Sequence, residues 1–389
     1  MRMENEGLPQ TSVLKELESR LSRDFTYSSG RIIGSMCTCP HPLAREAYTR
    51  FLDRNLGDSG LSPALVKLER EAIHILGALL SNPKASGHIV TGGTEANTLA
   101  LWAAKKHSKK KHCEVIVPAS AHYSFDKAAD LLGLKIVRVG LNSCFQVDVK
   151  AVEKAVNSKT IAIVGVAGTT GLGVVDPISE LSEIAVGKDL FLHVDAAFGG
   201  FVLPFLKELG FSVPNFDFSL PGVCSITVDP HKMGLAPIPA GGILFRNERL
   251  RKAVAWNVSY LAGGESEQAT IVGTRSGASV VAVWALLRHF GKEGYKRIVR
   301  SCMRLTWKLS RGIQKISGLD IMTEPSMNIV GIKSEVFDIR RIAKELRLRK
   351  WAVSLFPDHI RIVVMPHVQK QHIEEFLEDL KDIANKLGG

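Results

Sequence analysis

The segment Ser225-Ile226-Thr227-Val228-Asp229-Pro230-His231-Lys232 joins an apolar, β-branched run to a lysine just beyond its end. A run of this kind, without clear polar alternation, reads as a strand buried on both faces of a parallel or mostly parallel sheet. A lysine at the end of such a strand can hold its amine partly out of water. Desolvation or a neighbouring cation would lower its pKa and free a nucleophile. In isolation the same lysine would be an ordinary surface charge.

The strand pattern recurs upstream and downstream, over residues 88–90, 115–117, 136–139, 161–166, 191–194, 225–228 and 242–245. Helical periodicity fills the intervals 95–106, 124–132, 149–156 and 178–186. This alternation predicts a three-layer α/β domain with a mostly parallel sheet. Beyond it the character changes. A long helical pattern runs over about 277–317, and a βαβ-like stretch follows at 327–332, 338–347 and 360–364. An amphipathic helix over 372–386 ends the chain. The expected organisation is an N-terminal arm with helices (1–55), a large domain (56–285) and a small C-terminal α+β domain (286–389). No repeat or low-complexity segment interrupts it.

The 389 residues are 45% hydrophobic and 23% charged, an ordinary globular composition with ample length for a large core. Residues 1–18 are polar and lack the apolar centre of a signal peptide, and no long uncharged apolar stretch predicts a membrane span. The expectation is a cytoplasmic protein. Its six cysteines, at 37, 39, 113, 144, 224 and 302, have no zinc-site spacing and read as buried free thiols. No metal site is expected. The net charge of +11 raises nucleic acid or acidic metabolites as partners. Its basic runs are local, at 105–112 and 340–350, and read as solvated helix faces. No nucleic-acid module accompanies them, so no nucleic-acid partner is expected.

Two more segments carry chemistry. Thr91-Gly92-Gly93-Thr94-Glu95-Ala96-Asn97 follows a strand and opens a helix, where backbone N–H groups and the helix dipole attract an anion. By itself it could equally be a tight turn. Phe191-Leu192-His193-Val194-Asp195-Ala196-Ala197 ends a buried strand in an aspartate, at the edge where α/β sheets bind ligands. That aspartate could also be a helix N-cap.

Anion turn, strand-end aspartate and strand-end lysine occur in that order, and in this order the chain resembles the pyridoxal-phosphate-dependent group II amino-acid decarboxylases of fold type I (aspartate-aminotransferase-like). The resemblance spans about residues 55–368. It rests on Gly92-Gly93-Thr94-Glu95-Ala96-Asn97, His122, Gly168-Thr169-Thr170, His193-Val194-Asp195-Ala196-Ala197 and Asp229-Pro230-His231-Lys232. Gly34-Ser35-Met36-Cys37, Gly273-Thr274-Arg275 and Arg361-Ile362-Val363-Val364-Met365-Pro366-His367 bring it nearest to the compact archaeal L-tyrosine/L-aspartate decarboxylases.

The resemblance implies that Lys232 holds pyridoxal 5'-phosphate as a Schiff base and that Asp195 pairs with its ring nitrogen. His122 would stack on the ring, with Ala197 near the opposite face. Gly93, Thr94 and His231 would hold the phosphate, with Thr170 in the same shell. Gly273-Thr274-Arg275 would reach the site across a homodimer interface. Tyr260 precedes the glycine-rich Leu261-Ala262-Gly263-Gly264, which could form a mobile lid. It is a candidate proton donor, or else an ordinary loop aromatic. Arg361 is the candidate for a substrate carboxylate, or else half of a structural ion pair, and Arg275 is a second cation expected near the site.

The expected reaction is α-decarboxylation of a small amino acid. L-Aspartate, giving β-alanine for coenzyme A synthesis, is favoured by the positive charge and the two arginines. L-Tyrosine and L-glutamate are the alternatives. A carbon–carbon lyase of the phosphorylated sphingoid-base type shares much of the pattern. A cysteine desulfurase lacks its mobile-loop cysteine. A nucleic-acid binder with a relic fold would not be expected to keep all three chemical motifs.

Overall fold

Along the strands of this protein, neighbouring residues enter different cores. Ile116, Ile163 and Leu192 pack into one hydrophobic cluster, while Val115, Val117, Ala162, Val164 and Phe191 pack into another. A two-residue period with both faces apolar requires helices on both sides of the sheet.

The computed structural model describes Met3, residues 5–108 and residues 110–388. In chain order, α1 (Gln10–Leu21), α2 (Pro42–Arg50) and α3 (Pro63–Leu79) lead into the large domain. There follow β1 (Ser86–Val90), α4 (Gly93–His107), β2 (Glu114–Pro118), α5 (Ser124–Leu132), β3 (Lys135–Val139), α6 (Val149–Ala155), β4 (Thr160–Val166), α7 (Ile178–Gly187), β5 (Phe191–Asp195), α8 (Leu203–Glu208), β6 (Val223–Val228), β7 (Gly241–Phe245) and α9 (Glu248–Lys252). The sheet order is β1-β7-β6-β5-β4-β2-β3. β7 runs antiparallel to both neighbours and the other pairs are parallel, so six strands point one way. Their C-terminal ends share one edge, where ligands of open α/β sheets bind.

The hairpin β8 (Trp256–Val258) and β9 (Ser266–Gln268) precedes α10 (Gly277–Ile313). The long helix expected here is broken at Gly291, whose φ of 52° and ψ of −167° lie outside the helical region and suit a residue without a Cβ. The small domain holds β10 (Asp320–Ile321), β11 (Ile329–Lys333), α11 (Ile339–Leu348), β12 (Ser354–Leu355), β13 (Ile360–Val363) and α12 (Lys370–Gly388). Its sheet is antiparallel throughout, in the order β10-β11-β13-β12. The βαβ-like reading of this region therefore fails. The short β12 turns the chain back, so β13 meets β11 head to tail. Alternation along β13 buries Ile360 and Ile362 in the small-domain core and puts Arg361 and Val363 on the face towards the large domain.

The glycine-rich turn after β1 is positioned by close backbone packing. A Cβ on Gly241 would stand 2.4 Å from Gly92 Cα and 2.7 Å from Gly92 N. Gly241→Ala should therefore push the turn aside and cost about 1–3 kcal/mol of stability. Denaturant unfolding checks this, and a midpoint equal to that of the unaltered chain would show that the approach is not constrained.

Candidate functional site

A cavity of about 490 Å³ opens where β1, β4, β5 and β6 end, with Met36 and Arg361 closing its small-domain side. Gly93, Thr94, His122, Thr170, Asp195, Ala197, His231 and Lys232 all line it. Residues far apart in sequence meet here because the parallel strands deliver their C-terminal ends to one edge. Among the described residues, no group of three or more His, Cys, Asp or Glu side chains is arranged to hold a metal ion.

Lys232 follows β6, with its side chain 19% exposed and its Nζ 3.0 Å from Asp229 Oδ2. The sequence reading expected a lowered amine pKa, and the structure corrects it. Burial does oppose the ammonium, but the Asp229 and Asp195 carboxylates outweigh it and raise the pKa above the ordinary lysine value. Burial likewise disfavours the charge on Asp229, yet Lys232 and His231 hold its carboxyl below the usual range. Asp229 Oδ1 is buried with no hydrogen-bond partner.

Two histidines have their ring protons directed by backbone amides. The N–H of Ser124 donates to His122 Nδ1 (3.2 Å), and that of Ala240 to His231 Nδ1 (3.1 Å). In each neutral ring the proton is left on Nε2. Burial lowers the pKa of His122, so its neutral form predominates at pH 7.

The turn suits a phosphate. No side chain caps the N-terminus of α4, so its first N–H groups are free to meet an anion. A Cβ on Gly93 would lie 2.9 Å from Asp229 Oδ2, and one on Gly92 3.1 Å from His231 Cε1, so only glycines leave this cradle open. With the uncapped helix, the His231 Nε2–H, the strand-end Asp195 and the Lys232 amine, the donor set fits pyridoxal phosphate.

Asp195 is not an N-cap reaching away from the cavity. Its Oδ1 accepts from the Ala197 N–H (3.0 Å) and its Oδ2 from Asn97 Nδ2 (3.0 Å). Asn97, His193 and Thr227 form a buried group behind it. All three residues lie within the sequence motifs, which by themselves assign them no role. A signal was available, because Asn97 lies four residues after Gly93 and so shares its helix face.

Arg361 lies in the same cavity, buried, donating to Thr170 O, Gly34 O and Ser354 Oγ. None of these partners is an anion, and its Nε is buried without a partner. Burial lowers its pKa to about 10, which leaves it charged at neutral pH. Phe356 lies over the guanidinium at 5.5 Å and stacks on His359.

Arg275, expected near the substrate, instead lies outside the cavity of its own chain. Its guanidinium pairs bidentately with Glu69 (2.6 and 3.0 Å) and donates to Ile89 O. It lines a separate cavity of about 430 Å³. Thr274 and Tyr260 are exposed and stand outside the cavity of their own chain. Tyr260 lies between β8 and β9, and Gly263 N of the same connection donates to Asp58. Of the six cysteines, none is in a disulfide. Cys113 and Cys302 are buried but Cys144 is exposed, so the buried-thiol expectation fails there.

The pattern of the pyridoxal-dependent decarboxylase conserved domain matches residues 41–334. The chain is 52% identical to an L-aspartate/L-glutamate decarboxylase of Pyrococcus horikoshii, over 99% of this chain and 100% of the relative. It is 50% identical to a probable L-tyrosine/L-aspartate decarboxylase of Methanothermobacter thermautotrophicus, over 92% of this chain and 99% of that one. Among solved structures, the sphingosine-1-phosphate lyase of Burkholderia pseudomallei superposes with a TM-score of 0.93 at 31% identity, covering 100% of this chain and 93% of that chain. With the cavity described above, these matches identify the chain as a fold type I, pyridoxal-phosphate-dependent carboxy-lyase and a member of the pyridoxal-dependent decarboxylase family.

Proposed function

We propose that the chain removes the α-carboxyl of L-aspartate as CO2 and leaves β-alanine, a precursor for coenzyme A in the cytoplasm. The observation that carries this reading is Arg361, a buried, charged guanidinium facing the cavity without an anionic partner. Leaving such a group unpaired is costly, so the site favours a ligand that brings a carboxylate. Relatives whose names include aspartate decarboxylation, at 52% and 50% identity, support the same substrate.

Bound pyridoxal phosphate supplies an electron sink for the pair left behind by CO2. Lys232, whose amine lies in the cavity, would be the residue that holds it. Asp195 would pair with its ring nitrogen and favour the protonated form, and His122 and Ala197 would flank the ring. Gly93, Thr94 and His231 would hold the phosphate, with Thr170 in the same lining. Arg361 holds the side-chain carboxylate and not the α-carboxylate, because a cation on the departing group would stabilise the ground state and oppose its conversion to neutral CO2.

The tyrosine reading rests on relatives whose names include it, since the stacked pair Phe356 and His359 near Arg361 does not line the cavity. Comparing kcat/KM for aspartate, glutamate and tyrosine decides between these. Aspartate should lead, and Arg361→Gln should reduce its kcat/KM about 10- to 100-fold while sparing tyrosine. A tenfold preference for tyrosine would overturn the aspartate reading. Release of an aldehyde from a phosphorylated 2-amino-3-hydroxy substrate, with no CO2 from any of the three amino acids, would point to the carbon–carbon lyase.

Asp195→Asn should bind pyridoxal phosphate yet lose several kcal/mol of transition-state stabilisation, about tenfold in kcat for each 1.36 kcal/mol. Near-normal turnover would remove Asp195 from its role.

A homodimer is part of this proposal. No residue of α1 is buried, and Trp256, Tyr260 and Ile271 are exposed large apolar side chains on or near the β8–β9 hairpin. Such a surface fits a partner copy, across which Tyr260 could deliver a proton and Thr274 could complete the cofactor site. Sedimentation with parallel assays should show activity only in the dimer, and a fully active monomer would contradict this.

A further inference from the structure

We propose that Asn97 is a positioning residue for Asp195 and that Thr227 and His193 set the direction of its amide. This deepens the proposed function and rests on Asp195 being the partner of the cofactor's ring nitrogen. The register of the sheet brings the group together. His193 stands opposite Ser225 and Asp195 opposite Thr227 on the parallel pair β5–β6. Asn97 reaches this row from α4. Asn97, His193, Ser225 and Thr227 are all buried, so a hydrogen bond lost within the group is costly.

Each proton in the row is dictated by its neighbour. A carboxylate at Asp195 only accepts, so the group 3.0 Å from its Oδ2 must be the Asn97 amide nitrogen. That nitrogen's second hydrogen meets Ser124 Oγ at 2.9 Å. Asn97 Oδ1 then faces the other way, accepting from Thr227 Oγ1 (2.7 Å) and His193 Nε2 (3.0 Å). His193 must therefore carry its proton on Nε2, and Nδ1 accepts from Ser225 Oγ at 2.8 Å. Burial lowers the pKa of His193 to about 4, which keeps the ring neutral.

Two donors on Oδ1 thus prevent the amide from turning over, and a turned amide would set its oxygen against Asp195. The row fixes Oδ2 as the carboxylate oxygen met by a side-chain amide, while Oδ1 accepts from the Ala197 N–H. Through Ser124, whose N–H meets His122 Nδ1, the same amide is tied to the residue expected to stack on the ring. Thr227 makes no hydrogen bond to Asp195, so an effect of its hydroxyl on the cofactor is transmitted through Asn97.

The test uses the holoenzyme and four variants: Asn97→Ala, Thr227→Val, Thr227→Ser and Asp195→Asn. Two quantities are read: the dissociation constant of pyridoxal phosphate, by titration of the apoprotein, and kcat and KM at saturating cofactor. Asn97→Ala and Thr227→Val should weaken cofactor binding about tenfold and lower kcat about tenfold, with KM for the amino acid within about twofold. Thr227→Ser, which restores the hydroxyl, should return both to near the original values. If Asn97→Ala fails to fold, the nearly isosteric Thr227→Val carries the same test. Unchanged cofactor affinity and kcat in both Asn97→Ala and Thr227→Val, with Asp195→Asn impaired, would overturn the inference alone. An unimpaired Asp195→Asn would instead overturn the reading on which it rests.

Discussion

Lys232 can be held mostly out of water as an ammonium because Asp229 Oδ2 lies 3.0 Å from its Nζ. Removing either charge from water alone would be prohibitive, and together they offset much of the cost. The pair also explains the form of its surroundings. Asp229 is drawn under the glycine turn, where a Cβ on Gly93 would meet its carboxylate at 2.9 Å. His231, 3.5 Å from the same oxygen, is orientated by Ala240 on the approach to β7. Turn, lysine and strand ends are therefore mutually fitted, and the sheet cannot shift register without separating them.

Much of this was legible in the chain, for a physical reason. Strands covered on both faces must be continuously apolar, so the seven segments of the large sheet stand out against the polar helices between them. The four expected helices of the large domain also lie where their periodicity put them. Lys232, Asp195, His122 and the glycine turn converge because parallel strands with helical crossovers bring their C-terminal ends together. Strand direction was less legible. The reversal of β7 and the antiparallel small sheet depend on which edge accepts the strand, a long-range choice that period does not encode.

Charge pairing was illegible for the same reason. Arg275 and Glu69 are far apart in sequence, and the packing of α3 against β1 and α10 brings them within 2.6 Å. The raised pKa of Lys232 depends on the carboxylates of Asp229, 3.0 Å from its Nζ, and Asp195. Desolvation, the part visible from an apolar strand, acts in the opposite direction and loses. Arg361 shows the converse. Alternation along β13 predicts that it faces away from Ile360 and Ile362, but the absence of an anion near it appears only after three oxygen acceptors have been found.

The most direct test of this account is chemical. The holoenzyme, reduced with borohydride and digested, should carry its phosphopyridoxyl group on the peptide containing Lys232 and on no other. Label on a different lysine, or none in a preparation that decarboxylates amino acids, would contradict the assignment of this cavity as the cofactor site.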